Sequence, residues 1–348
     1  MKKNLLKIAS IVLAGSIALT ACNKKEDDPK PSGAYSNATF VVCEGNFGQN
    51  DGSIDAIIDG ELKKDIFQAE NNRPLGDIVQ SMTIIGDQAF IVVNNSGKIE
   101  VVNKNTFKSE GTCTGLSYPR YVVNRNDNEI FVSNGNGTSG DDYVYVVNKL
   151  SMQKTDSVAT GFGPNTMVVL NGKLFVANSG GYSTDKSVTV IDINTFKVEK
   201  TIEIGDVPSD MDLDSDGNII VYCKGNWGEN SSIVKLNTTS YATTTIKAFD
   251  HQLGSFGTNL VASNDKIYFI DGVIDENYIP VDGGVYVLNN DSEEKVFEGT
   301  FYGVSINPAN GDIWATNSTS NSVSQYDKTG KLIKTYKVSA SYPNAVIF

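Results

Sequence analysis

Tyr118-Pro119-Arg120-Tyr121-Val122-Val123, Gly163-Pro164-Asn165-Thr166-Met167-Val168 and Val207-Pro208-Ser209-Asp210-Met211-Asp212 are three versions of one phrase, and Tyr342-Pro343-Asn344-Ala345-Val346-Ile347 is a fourth. Prolines 119, 164 and 208 stand 45 and 44 residues apart. Between them the same pattern recurs: an apolar strand, an Asn/Asp/Gly turn, a second apolar strand ending on a small polar residue, a Gly-rich loop, a third apolar strand, an Asn-Thr turn and a charged strand. Four short strands per unit at this period mark the blades of a propeller.

Units begin near Met82, Tyr121, Thr166, Met211, Leu260 and Val304. In five of them the second strand ends on Val93-Asn94-Asn95, Ser133-Asn134, Ala177-Asn178, Asp271-Gly272 or Thr316-Asn317, and the Met211 unit has Cys223-Lys224 there. A seventh unit is split. Thr39 to Asn46 looks like a second strand with its Asn signal but lacks a first, and Ala345 to Phe348 looks like a first strand with nothing after it. The C-terminal strand is therefore expected to close the blade that the N-terminal strand begins, which removes free sheet edges. The 310 residues from Thr39 to Phe348 give about 44 per blade. No helical periodicity competes. The expected fold is an all-β, seven-bladed propeller over residues 37–348.

The N-terminus reads as a targeting segment. Lys2, Lys3 and Lys7 precede an apolar run from Ile8 to Leu19, too short to span a bilayer, and Leu19-Thr20-Ala21-Cys22 matches a lipobox. That match implies a signal peptide over 1–21, lipidation of Cys22 and an acyl anchor strong enough to hold the protein on a membrane. Residues 22–36, with an acidic run and Pro29-Lys30-Pro31-Ser32-Gly33, read as a flexible tether. The formal charge of −12 becomes −15 once three lysines leave with the signal. Such a balance disfavours nucleic acid as a partner. Three further cysteines, Cys43, Cys113 and Cys223, cannot all pair and are expected to be buried thiols.

With antiparallel neighbours, the loops between strands two and three and the junctions between blades share one face, here the top. The turns one–two and three–four share the bottom. The bottom turns are short hairpin chemistry, and Phe107, Phe196 and Tyr241 recur after them as packing residues. The top loops are long: 44–52, 134–142, 178–187, 224–231 and 271–283. They and the junctions carry Phe47, Arg73, Tyr118, Arg120, Phe162, Tyr182, Trp227, His251, Phe256, Tyr278, Tyr302 and Tyr342. Aromatics and arginines around a concave axis, among Asn and Gly, have the composition of a binding site. The candidate ligand-binding set is these residues without His251 but with Asn46 and Asn178. The competing reading is that many of them cap the ends of blade sheets.

Other motifs carry little. Gly135 to Gly140 matches GxGxxG, but a strand (Tyr143 to Val147) follows where a phosphate-binding helix belongs. Asp212 to Asn218 begins like a calcium loop, but Cys223 stands where the closing Glu is needed, so a hairpin turn is expected. A single histidine, His251, argues against His-rich metal sites and reads as a solvated loop residue. Asp156-Ser157-Val158 fits a three-residue O-glycosylation pattern that also arises by chance.

The Pro-Asn/Ser anchors, Val176-Ala177-Asn178-Ser179 and the stretch Thr189 to Val198 resemble YVTN-type seven-bladed propellers over essentially the whole chain after the tether. Combined with the lipobox and the acidic tether, the chain resembles the cobalamin (vitamin B12)-binding surface lipoproteins of gut anaerobes, proteins often labelled "surface layer protein". That resemblance implies capture of cobalamin on the outer membrane and transfer to a TonB-dependent transporter, with no catalytic group, metal or cofactor beyond the bound ligand. A glycan-binding or adhesive propeller and a metal-dependent lactonase or lyase remain the alternatives. For the last, only Asp210 and Asp212 offer acids near the axis.

Overall fold

The structure, a computed structural model, describes residues 33–254, 257–274, 280–289 and 292–348. The signal segment, Cys22, the tether up to residue 32, Phe256 and Tyr278 lie outside the described residues. Seven four-stranded antiparallel sheets make up the fold. Blade 1 orders Pro343–Ile347, Thr39–Cys43, Ser53–Ile58 and Glu61–Lys63 from the axis outwards. Blades 2 to 7 are headed by Val79–Ile85, Pro119–Asn124, Pro164–Leu170, Pro208–Leu213, Leu260–Ser263 and Gly303–Ile306, and these inner strands touch one another around the ring. The expected closure is present: Phe40 pairs with Ile347 and Val41 with Val346. A proline opens an inner strand easily because the first residue need not donate to the ladder.

Second strands form the buried layer. Ala89–Val93, Phe131–Asn134 and Leu174–Asn178 are at most 1% exposed. At one equivalent position near the start of this strand, six blades have an aromatic (Phe40, Phe90, Phe131, Phe175, Tyr268, Trp314) and blade 5 has Ile220. In four cases the next blade sends a side chain onto that ring from its three–four turn. Phe107 stacks on Phe40 with centroids 5.4 Å apart, Phe196 stacks on Phe131 at 5.6 Å, and Tyr241 meets Phe175 edge-on at 6.4 Å. Met152, from the equivalent turn, belongs to the same buried cluster as Phe90.

One turn chemistry delivers all four. Asn103, Asn148, Asp192 and Asn237 each accept two backbone N–H groups with the side chain, two and three residues on, and one with the main-chain carbonyl, four on. That arrangement drives the fifth residue left-handed, with φ of 56° at Phe107, 56° at Met152, 50° at Phe196 and 61° at Tyr241. A left-handed non-glycine residue costs about 1–2 kcal/mol, and burying a large apolar side chain returns about 1.5–3 kcal/mol. Cys43, Cys113 and Cys223 are free and buried.

Three expectations change. Residues 33–36 belong to the body and not to a tether: Tyr35 accepts no solvent role but packs edge-on to Phe107 at 5.9 Å, and its N–H donates to the Asn105 carbonyl. The blade 6 top connection is not an irregular loop from 271. Its two strands run on as Lys266–Ile274 and Pro280–Asn289, paired antiparallel out to Ile274 and Pro280. The junction between blades 1 and 2 carries a short helix, Ile66–Asn71, capped by Asp65 and buried through Ile66 and Phe67. Arg73 follows that helix. It is held by the fully buried Glu100 at 2.5 Å and lies over the Phe67 ring, where it joins two blades.

Candidate functional site

The site is built from the first residues of the inner strands. Ile78, Gly163, Val207 and Tyr342, just before four of these strands, all have φ between 53° and 58°. The left-handed turn aims each carbonyl at the strand-two end, where Asn94, Ser179, Lys224 and Glu44 donate their N–H groups to it. The next residues then converge on the axis and link blade to blade. Arg120 Nε donates to Asn165 Oδ1 at 3.2 Å, Asn165 Nδ2 to the Ser209 carbonyl at 3.0 Å, and Asn344 Nδ2 to the Gln80 carbonyl at 2.9 Å.

Above this ring lies a cavity of about 390 Å³, lined among others by Tyr118, Arg120, Tyr121, Asn165, Tyr182, Asp210, Lys224 and Asn259. Burial raises the Asp210 carboxyl to about 6, against the hydrogen bonds it accepts from the Asn259 N–H (2.8 Å) and Nδ2 (3.1 Å) and against the nearby Lys224 and Arg120 charges. Burial lowers Lys224, and Asp210 opposes that shift. Across the axis, burial raises Glu44, which accepts hydrogen bonds from Asn344 Nδ2 at 3.0 Å and Tyr302 Oη at 3.1 Å. Asp210, Lys224 and Arg120 thus share one polar cavity, and Glu44, outside its lining, feels the Arg120 charge. Ser209 Oγ and Asn259 Oδ1, of cavity-lining residues, and Asn344 Oδ1 in the axial ring are buried without a hydrogen-bond partner in the protein.

The rim is aromatic. Phe47, Phe162, Tyr182, Trp227 and Tyr342 are between 43% and 79% exposed, and they are the only exposed aromatic side chains among the described residues. Every one of them stands on a top loop or junction. Scatter of single apolar residues over a surface needs no explanation, but confinement of all exposed rings to one face does.

The candidate residues therefore divide. Tyr118, Arg120 and Tyr182 line the cavity, and Phe47, Phe162, Trp227 and Tyr342 belong to the rim. Tyr302 is buried and gives its hydroxyl to Glu44, with Tyr342 tilted against it at 5.9 Å. Asn46 and Asn178 hold loops: Asn46 binds Asp51 and Ser341, and Asn178 binds Ser187 and Thr189 from a fully buried position. Arg73 is not among the cavity residues. Gln80, Tyr121, Asn165, Lys224 and Asn259 are cavity residues absent from the candidate set. Their signal was positional, one polar residue heading each inner strand, together with a lysine where other blades end strand two on Asn.

The set-aside motifs have local explanations. Asn136 Oδ1 accepts the N–H groups of Thr138 and Ser139 in the Gly-rich loop, and Asp214 accepts those of Asp216 and Asn218 at the tip of a hairpin. His251 is more engaged than a solvated residue would be, with Nδ1 2.8 Å from Asp250 and Nε2 2.9 Å from Asp271. Burial works against its proton, but those two carboxylates prevail and its pKa is raised.

A family model described as "Domain of unknown function (DUF5074)" matches residues 37–348. No curated protein matches the chain. Among solved structures, a quinonprotein alcohol dehydrogenase-like protein from Bacteroides thetaiotaomicron aligns over 90% of this chain and 78% of its own at 16% identity, with a TM-score of 0.65. The periplasmic gluconolactonase of Pseudomonas aeruginosa aligns over 89% and 99% at 12% identity, TM-score 0.64. A putative 6-phosphogluconolactonase from Bacteroides fragilis aligns over 91% and 100% at 13% identity, TM-score 0.63. At these identities the likeness is one of fold.

Proposed function

The chain belongs to the DUF5074 family, and from that premise we propose that it is a ligand-binding propeller whose top face takes a broad, near-neutral, amide-edged molecule, cobalamin being the candidate its sequence resembles. The observation that carries this reading is that all five exposed aromatics among the described residues stand on top loops or junctions, the face onto which the polar cavity opens. Rings supply faces for a flat ligand to rest on, and the Asn side chains and orphaned oxygens supply partners for amides. Neither role needs a catalytic group, so the chemistry proposed is capture without turnover. Through Cys22 the protein would be lipid-anchored at the outer membrane, displaying this face to a TonB-dependent transporter that receives the ligand.

Calorimetry with cyanocobalamin on the purified protein tests the reading. Heat at micromolar ligand, together with cobalamin absorbance co-eluting on gel filtration, is the expected result, and absence of both overturns it. A glycan array on the same preparation separates the sugar-binding alternative, for which Trp227 is the stacking candidate.

A second reading rests on Asp210. A buried acid near 6 beside Lys224 is placed for general acid–base work, and gluconolactonases share the fold. Turnover of glucono-δ-lactone that disappears in Asp210→Asn would favour that reading over simple capture.

A further inference from the structure

The chain has three arginines, and two of them are paired: Arg73 with Glu100 and Arg125 with Glu129. Arg120, which lines the top cavity, makes no ion pair among the described residues. Its place is nonetheless fixed. Nε donates to Asn165 Oδ1 at 3.2 Å, and its main-chain carbonyl accepts from Ser81 Oγ at 2.7 Å. Both Nη groups lack a hydrogen-bond partner among the described residues, yet neither is among the buried unpartnered atoms, so solvent reaches them. Lys224 lines the same cavity, and Asp210 is the one acid of that lining. Asp210 gives its Oδ2 to the Asn259 N–H and Nδ2 and does not close on Arg120 as an ion pair. A chain of formal charge −12 therefore lines this cavity with two cations against one acid.

We propose that the top cavity is an oxyanion subsite, in which the two Nη groups of Arg120 take both oxygens of a phosphodiester or carboxylate on the captured ligand, with Lys224 adding its charge from blade 5. The subsite rests on the reading of this face as a capture surface, and it narrows the ligand to one that carries a singly charged anionic group. A guanidinium fork matches a two-oxygen anion by shape as well as by charge, a fit that lysine cannot reproduce. With Nε already held by Asn165, little side-chain freedom is left to lose on binding. The Arg120 charge is felt by the buried Asp210 and Glu44 carboxyls, but neither compensates it at contact range. Burial lowers the Lys224 pKa, a cost that an incoming anion relieves. The chain's many other acids oppose an anion weakly, since exposed charges beyond about 8–10 Å are screened by salt while cations in a part-buried cavity are not.

Three arginines give three Nε–H resonances, so the site can be read directly. In purified protein labelled with ¹⁵N-arginine, the Arg120 signal is the one missing from Arg120→Lys. It is expected to shift with dimethyl phosphate or with acetate and to saturate below about 50 mM, while the Arg73 and Arg125 signals stay still. Sodium chloride at matched ionic strength is the control, and the tighter of the two anions tells phosphodiester from carboxylate. Lys224→Gln should weaken the titration at least threefold. By calorimetry, Arg120→Gln should cost cyanocobalamin, which carries a phosphodiester, at least tenfold more affinity than it costs dicyanocobinamide, which lacks one. No Arg120 shift at about 200 mM of either anion, or an equal shift with sodium chloride, would overturn the subsite. The two readings fail separately. Anion shifts at Arg120 without cobalamin heat keep the subsite and sink cobalamin, and cobalamin heat without those shifts does the reverse.

Discussion

Asp210 and His251 make the protein's stability depend on pH in two separate windows. The folded state holds Asp210's proton at about 6, above its ordinary 3.8. A raised acid pKa means that the folded state binds protons more tightly than the unfolded chain, so stability falls as pH rises from about 4 to 6, by about 3 kcal/mol for a shift of some two units. Urea midpoints of Asp210→Asn should lose that decline. His251 is also raised, from 6.5. Its contribution is complete below 6.5 and is lost as pH climbs through the folded value, so His251→Gln should flatten the curve only at the higher end. On the rim, if the top face takes cobalamin as proposed, Trp227→Ala and Tyr182→Ala should each weaken that binding about tenfold without moving the melting temperature, since both rings are largely exposed and a binding anchor of this kind is worth about 1–2 kcal/mol.

The five-residue Asx turn decides how blades lock at the bottom. Replacing Phe196 by alanine empties the space against Phe131 and should cost about 3–5 kcal/mol in urea unfolding. Much of this element level was legible in the sequence. The prolines, the Asn signals and the recurring Phe107, Phe196 and Tyr241 are local, so their spacing carried the blade count and the two faces. Contacts between distant segments were not legible. Nothing near Arg73 in the chain announces Glu100, and nothing near Tyr35 announces Phe107 or Asn105. The longer blade 6 pairing was hidden because Gly283 and Pro280 look like loop residues, whereas the pair tolerates Pro280 as the first residue of its strand and Gly283 opposite Gly272. The axial chamber was half visible. Asp210 stood out by charge, but Asn165 and Asn259 look ordinary until the ring brings them together.

At the scale of the whole molecule, the exposed rings among the described residues stand on one face and the other carries short turns, an asymmetry that the proposed lipid anchor at Cys22 would put to use. Cys22→Ala should shift the protein from the detergent phase to the aqueous phase on Triton X-114 partitioning if the anchor is used. The pairing of Thr39–Cys43 with Pro343–Ile347 has a kinetic consequence as well. Blades 2 to 7 are each contiguous in the chain and can form as their strands emerge, whereas blade 1 must wait for a segment about 300 residues downstream. Bringing such ends together costs about 5 kcal/mol of chain entropy before any contact is made, which makes this pairing the slow step of folding. Until it happens, Phe40, Val41 and Val42 remain an apolar strand without a partner. Any interruption before residue 343 therefore leaves a sticky edge open to proteases and chaperones, so the strand Pro343–Ile347 doubles as proof that every blade before it has been made.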